Sequence, residues 1–191
     1  MKSILILLYL LVLAVPTAHA GIGDNWYRDG RPAADDDTRK TIDGFGAAVI
    51  LTSDKDWSEK WNTPSDVIPR FTTVDKLHRG ESATLLIFFA NPKQDAEGNV
   101  DITCDVKTIR PDNRVTEDKG LPGFKGKIAG SAKNTFLTQV AIKFVVEPND
   151  PLGEWTFEVT VHDNQRHVAV PLKYRFTLVG VDSMTPEFKK E

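Results

Sequence analysis

The stretch Trp155-Thr156-Phe157-Glu158-Val159-Thr160-Val161, followed after a polar turn by Val168-Ala169-Val170-Pro171-Leu172-Lys173-Tyr174-Arg175-Phe176-Thr177-Leu178, places apolar residues at every second position. Side chains of a β-strand point alternately to opposite faces, so both segments read as strands with one face in a core and one in water. The same pattern recurs upstream. Val100 to Ile109 puts Val100, Ile102, Cys104 and Val106 on one side and Asp101, Thr103, Asp105 and Lys107 on the other. Phe136 to Val146 buries Thr138, Val140, Ile142, Phe144 and Val146. Phe45 to Thr52 and Ser82 to Ala90 are apolar on both faces, and Asn91-Pro92 stops the second. Arg110-Pro111-Asp112-Asn113 is turn chemistry, and the Gly- and Lys-rich residues 114–135 read as a weak strand and a long loop.

One short helix breaks the series, near residues 54–61. Ser53 or Asp54 can cap it, Trp57 and Trp61 share a face at i,i+4, and Pro64 and Pro69 impose an extended connection after it. Six or seven short strands separated by turns, with no long helical patterns between them, specify an all-β fold: an immunoglobulin-like antiparallel β-sandwich. A doubly wound parallel sheet is excluded by the same pattern.

The first twenty residues are different. Lys2 precedes an apolar run from Ile4 to Val15, Pro16 ends it, and Ala18-His19-Ala20 presents small residues where a signal peptidase reads. The run is short for ~30 Å of hydrocarbon. Cleavage after Ala20 is the expectation, leaving a chain that begins at Gly21 and acts in the periplasm or outside the cell. The expected organisation is a signal peptide over 1–20, an irregular lead-in arm over 21–43, the sandwich over 44–180 and a tail over 181–191. After cleavage the chain keeps all 27 Asp and Glu and loses only Lys2 from its 24 Lys and Arg, so its formal charge is −4. That mild, dispersed acidity argues against nucleic acid as a partner, and no later segment is long enough to span a membrane. Cys104 is the only cysteine, so no intramolecular disulfide forms and the apolar core must hold the fold. A bacterial origin suits a disulfide-free exported domain better than a eukaryotic one.

The segment Glu147-Pro148-Asn149-Asp150-Pro151-Leu152-Gly153-Glu154-Trp155-Thr156-Phe157-Glu158-Val159, with the closing Phe176-Thr177-Leu178, resembles the last hairpin of immunoglobulin-like modules in bacterial surface proteins and of macroglobulin-type domains. Together with Asp43-Gly44-Phe45-Gly46, Asp56-Trp57 through Trp61, and Phe88-Phe89-Ala90-Asn91-Pro92, the chain is similar to a family of exported bacterial proteins of uncharacterised function. The resemblance implies a fold and carries no catalytic residues.

Few groups are candidates for chemistry. A four-residue turn Asp163-Asn164-Gln165-Arg166 would set Val161 opposite Val168 and His162 opposite His167. Both imidazoles would then face solvent near enough to share a divalent metal, with Asp163 as a further ligand. Two histidines fall short of the usual three or four ligands, and solvated turn histidines are commoner. Asp95-Ala96-Glu97-Gly98-Asn99-Val100-Asp101 spaces oxygen ligands as a calcium loop does, yet a polar hairpin explains the same letters. Cys104 reads as a buried hydrophobe. Trp57 and Trp61 read as a cap on the open end of the core in preference to an aromatic platform for a peptide or a sugar. No nucleophile elbow or paired acid and base is discernible, and no cofactor is expected.

The leading expectation is therefore a non-enzymatic exported module that contacts another protein of the envelope or the extracellular space. The alternative is a small periplasmic metal-binding protein using His162 and His167, and a hydrolase on a β-sandwich comes third. Leu85-Leu86-Ile87-Phe88-Phe89, apolar on both faces, would be an interaction surface if neither the arm nor the helix covers its second face.

Overall fold

A computed structural model describes residues 22–28, 31–63 and 69–180. The leader over 1–20, the start at Gly21, Pro64 and the tail over 181–191 lie outside the described residues. The elements run β1 (Ile22–Arg28), β2 (Arg31–Ala34), β3 (Arg39–Ile42), β4 (Phe45–Thr52), α1 (Trp57–Trp61), β5 (Lys76–His78), β6 (Ser82–Ala90), β7 (Asn99–Ile109), β8 (Val115–Lys127), β9 (Thr135–Val145), β10 (Gly153–Asp163) and β11 (Val168–Val179).

Two sheets face each other, one ordered β3-β4-β6-β9 and the other β5-β11-β10-β7-β8, while β1 and β2 form a separate ribbon. All pairings are antiparallel except β5 with β11. Hairpins β7–β8 and β10–β11 stay in one sheet while the chain crosses from β6 to β7, β8 to β9 and β9 to β10, so that β4, β6 and β9 take the A, B and E positions and β7, β10 and β11 the C, F and G positions of an immunoglobulin-type sandwich. The alternation read from the sequence fills the space between them. Val100, Ile102, Cys104, Val106, Trp155, Phe157, Val159 and Val161 come from one sheet and Phe45, Val49, Leu51, Leu85, Ile87 and Phe89 from the other. Phe144 of β9 meets Trp155, Phe157 and Phe176 edge-on at 5.1–6.0 Å, so the two sheets are joined by aromatic packing at this end.

Several expectations change. Residues 21–43 carry β1, β2 and β3, and β3 pairs with β4 from Ile42–Phe45 to Arg39–Ala48. The hinge is Asp43-Gly44, both left-handed (φ 48° and 79°), as a two-residue hairpin requires. The sandwich thus begins at Arg39, ahead of the boundary at residue 44. Within 114–135, Val115–Lys127 form the 13-residue β8, which is exposed from Val115 to Gly120, packs Leu121 and Phe124 on the core and bulges twice against β7. Pro122, three glycines and the lysines at 119, 125 and 127 blunt this edge against pairing with another chain.

The second face of the Leu85–Phe89 run is covered. Leu86 is 0 % and Phe88 7 % exposed, with the rings of Trp61 and Phe71 lying 5.4 and 6.2 Å from that of Phe88. The open surface that this run could have offered is therefore not there. Trp57 and Trp61 do not cap the core. Phe89 points inward and Phe88 outward, so α1 sits on the outer face of the four-stranded sheet. Neither Ser53 nor Asp54 caps α1; Asp56 occupies that position without a side-chain bond, and Asp54 binds the Thr72 N–H and Lys60 instead.

Candidate functional site: a clamped pole of loops

The inward alternation of β10 runs Trp155, Phe157, Val159, Val161 and then Asp163, which places a carboxylate where a core side chain would stand. Asp163 is 0 % exposed. A buried carboxylate persists only when its oxygens are hydrogen-bonded or paired. Here the N–H groups of Lys93 and Arg166 donate to it at 2.8 and 3.0 Å, and Arg166 Nε approaches at 3.4 Å. The rest of the Arg166 fork reaches other loops, with Nη1 donating to Asp43 O at 2.9 Å and Nη2 to Asn91 O at 3.0 Å. Asn91 in turn donates its side-chain amide to Gly44 O and its N–H to Ala132 O. Asn164 donates to the backbone and carboxylate of Asp101, both at 2.9 Å.

One guanidinium and one carboxylate therefore join the β3–β4 turn, the β6–β7 loop and the β10–β11 turn, and Asn91 ties in the loop before β9. Three non-glycine residues here, Asp43, Asn91 and His167, are left-handed (φ 48°, 52° and 60°). Such backbone persists only where the surroundings over-determine it, and it concentrates at functional sites.

The histidine pair is arranged differently from the expectation. Asp163 pairs with Val168 and His162 with Ala169, so the turn is Asn164-Gln165-Arg166-His167 and the register moves by two residues. The cause is Asp163, which belongs to the strand end and is fixed there by Lys93 and Arg166. His162 lies on the outer face of the sheet, 3.0 Å from Asp105 Oδ2, while His167 sits within the turn. Partial burial pushes the Asp105 carboxyl up, but the Gly120 N–H and His162 outweigh it and hold it below the usual carboxylate range. The two imidazoles are thus not a cross-strand pair. Among the described residues, no group of three or more His, Cys, Asp or Glu is placed to hold a metal. Micromolar Zn²⁺ or Cu²⁺ should leave the melting temperature unchanged; a shift that His162→Ala with His167→Ala removes would contradict this.

The Asp95 loop closes on itself. The Asp95 carboxylate accepts from the N–H groups of Asn99 and Glu97 and from the Asn99 amide, while Asp101 turns away to Lys125 and Asn164. This is hairpin chemistry, with Gly98 left-handed (φ 84°), and the carboxylates do not converge as a calcium loop needs.

Cys104 is buried as read, and burial pushes its thiol from 9.0 up to about 12. At pH 8 the buried thiol is held protonated and shielded, so a thiol reagent should label it quickly only in denaturant. Rapid labelling of the native protein would contradict the register of β7. Because the folded pKa is raised, this thiol's contribution to stability is complete below about pH 9 and is lost as pH rises towards 12.

No family model matches the chain, and no curated protein matches it. Among solved structures, part of a family 123 glycoside hydrolase from Clostridium perfringens, described for glycolipid glycan hydrolysis, is similar at 8 % identity and a TM-score of 0.41. The match covers 72 % of this chain and 27 % of that one, so the chain spans about a quarter of the hydrolase's length. A likeness at that level transfers nothing to this chain. The class defined by the strand order is the immunoglobulin-like all-β sandwich, and among the described residues no helix is long and apolar enough to cross a membrane.

Proposed function

We propose that this chain is a non-enzymatic binding module, exported from the cell that makes it, which presents the clamped pole to another protein. The observation that carries the reading is the Asp163–Arg166 clamp. A buried ion pair is poor value as a stabiliser, since desolvation offsets most of its attraction, but it fixes geometry. Here it fixes several loops at one end of a sandwich, the arrangement by which variable immunoglobulin domains present their binding loops. Loops held rigid before contact lose less entropy on binding. The exposed groups they carry, among them Lys93, Gln94, Ser131, Asn134 and Asn164, are hydrogen-bonding and mostly uncharged, which suits the polar surface of a folded protein. Export is supported by the charged, apolar and small-residue regions of the first twenty residues, and intact mass should give a chain starting at Gly21.

The test is capture from a native-host extract with three baits. One is the mature domain, the second carries Lys93→Glu and Gln94→Arg on the pole, and the third carries Lys127→Glu on the β8 edge. A protein partner should be retained by the first and third baits and lost by the second. Retention indifferent to the pole changes, or no specific retention at all, would contradict the proposal.

A further inference from the structure

At the opposite end of β4 and β6 from the clamped pole lies a groove of about 390 Å³. That volume is within the range of small-molecule sites. Its floor follows from the register. Thr52 pairs with Thr84 and Thr84 with Lys143, so three strands set one polar row on the outer face of the four-stranded sheet. Ser82 lines it further along β6, and the chain leaving β4 folds over it through Lys55 and Trp57.

The groups in the groove differ in how far they are already engaged. The Thr52 hydroxyl donates to Thr72 O and accepts from the Asp54 N–H, which fixes the turn. Asp54 is bonded to Lys60 and to the Thr72 N–H, and those two hold its carboxyl down to about 2. Its charge is already answered. The side chains of Ser82, Thr84, Lys55 and Lys143, by contrast, have no hydrogen-bond or ion-pair partner among the described residues. Trp57 is half-buried, and among the described residues its indole stacks on no other ring, unlike that of Trp61.

We propose that this groove binds an acidic saccharide, its sugar ring against the Trp57 indole and its carboxylate taken by Lys55 and Lys143. Among the described residues neither ammonium is ion-paired, and the one carboxylate lining the groove, Asp54, is engaged by Lys60, so the pair suits a negative ligand. Two free hydroxyls next to a flat apolar ring suit a polyol that has an apolar C–H face. The groove also disfavours an extended peptide. Strand β6 is paired on both sides and the end of β4 is bridged to Thr73, so the groove floor offers a peptide no strand to pair with; the open edge of β9 faces away from β6. Recognition must come from side chains.

The test is titration of the mature domain, followed by calorimetry and indole fluorescence, with trigalacturonate, neutral maltotriose and the peptide triglutamate. Trigalacturonate should bind saturably and perturb the emission, and the other two should bind at least about tenfold more weakly. Trp57→Ala and Lys143→Glu should each weaken trigalacturonate at least about tenfold, with Trp57→Phe retaining most of the affinity. Lys143 is exposed, so its variant stays informative if Trp57→Ala does not fold. Absence of saturable binding would overturn the proposal, as would equal binding of maltotriose. Equal binding of triglutamate would reduce the site to a basic patch, and an unaffected Lys143→Glu would rule out the charge contact.

Discussion

Trp155→Ala should cost about 3–5 kcal/mol of folding stability, measured by chemical denaturation at constant m-value. The indole is 1 % exposed, and its Nε1 donates to Pro151 O at 3.0 Å, which ties the loop before β10 to the core. It packs against Phe144 and Phe176 with centroids at 5.1 and 6.3 Å, and the Arg110 guanidinium lies 5.2 Å above it. Truncation would leave a cavity facing the Phe144 and Phe176 rings, which cannot collapse to fill it. A loss below about 1 kcal/mol would place Trp155 outside the core, and the sandwich would lose its main anchor.

Asp163→Ala is expected to cost about as much, roughly 3–5 kcal/mol, for a different reason. Removing the carboxylate strands the Lys93 and Arg166 N–H groups and leaves a guanidinium that is three-quarters buried without its anion. Replacing both partners with apolar residues, as in Asp163→Val with Arg166→Met, should recover much of the loss, because no charge is then left unpaired. Stability and loop order should separate in that double variant. If Asp163→Ala melts like the parent, the pair is not the clamp described here.

What could be read in advance depended on whether burial leaves a periodic trace. Strands β4 and β6 run over the residues the sequence indicated, since a continuous apolar run defines each and Asn91-Pro92 stops the second. The inward faces of β7 and β10 were equally legible. Strand β8 was not, because its first half is exposed on both faces and the bulges break any alternation between Leu121 and Phe124. Strand β3 shows no apolar period either, and its residues read as an irregular arm; Asp43-Gly44 is the hairpin signal that would have given β4 its partner. At the β10–β11 turn, local propensity and register competed. Aspartate favours turns, yet the alternation from Trp155 continues one step further to Asp163, and Arg166 three residues on supplies its cation. The short helix carrying Trp57 and Trp61 was legible, but nothing local says which side of a sandwich a five-residue helix will cover.

The central claim is that the loops at this pole are held in place before any partner arrives. Native-state hydrogen exchange, resolved by residue, tests it most directly. Ordinary surface loops open at almost no free-energy cost, whereas amides held by a buried clamp exchange only when the clamp breaks. The amides of Asn91, Lys93, Asn164 and Arg166 should be protected to nearly the extent of the β10 strand, and Asp163→Ala should abolish this protection at the pole first. Exchange of those four amides in the parent at the rate of the exposed Lys133 loop would contradict it.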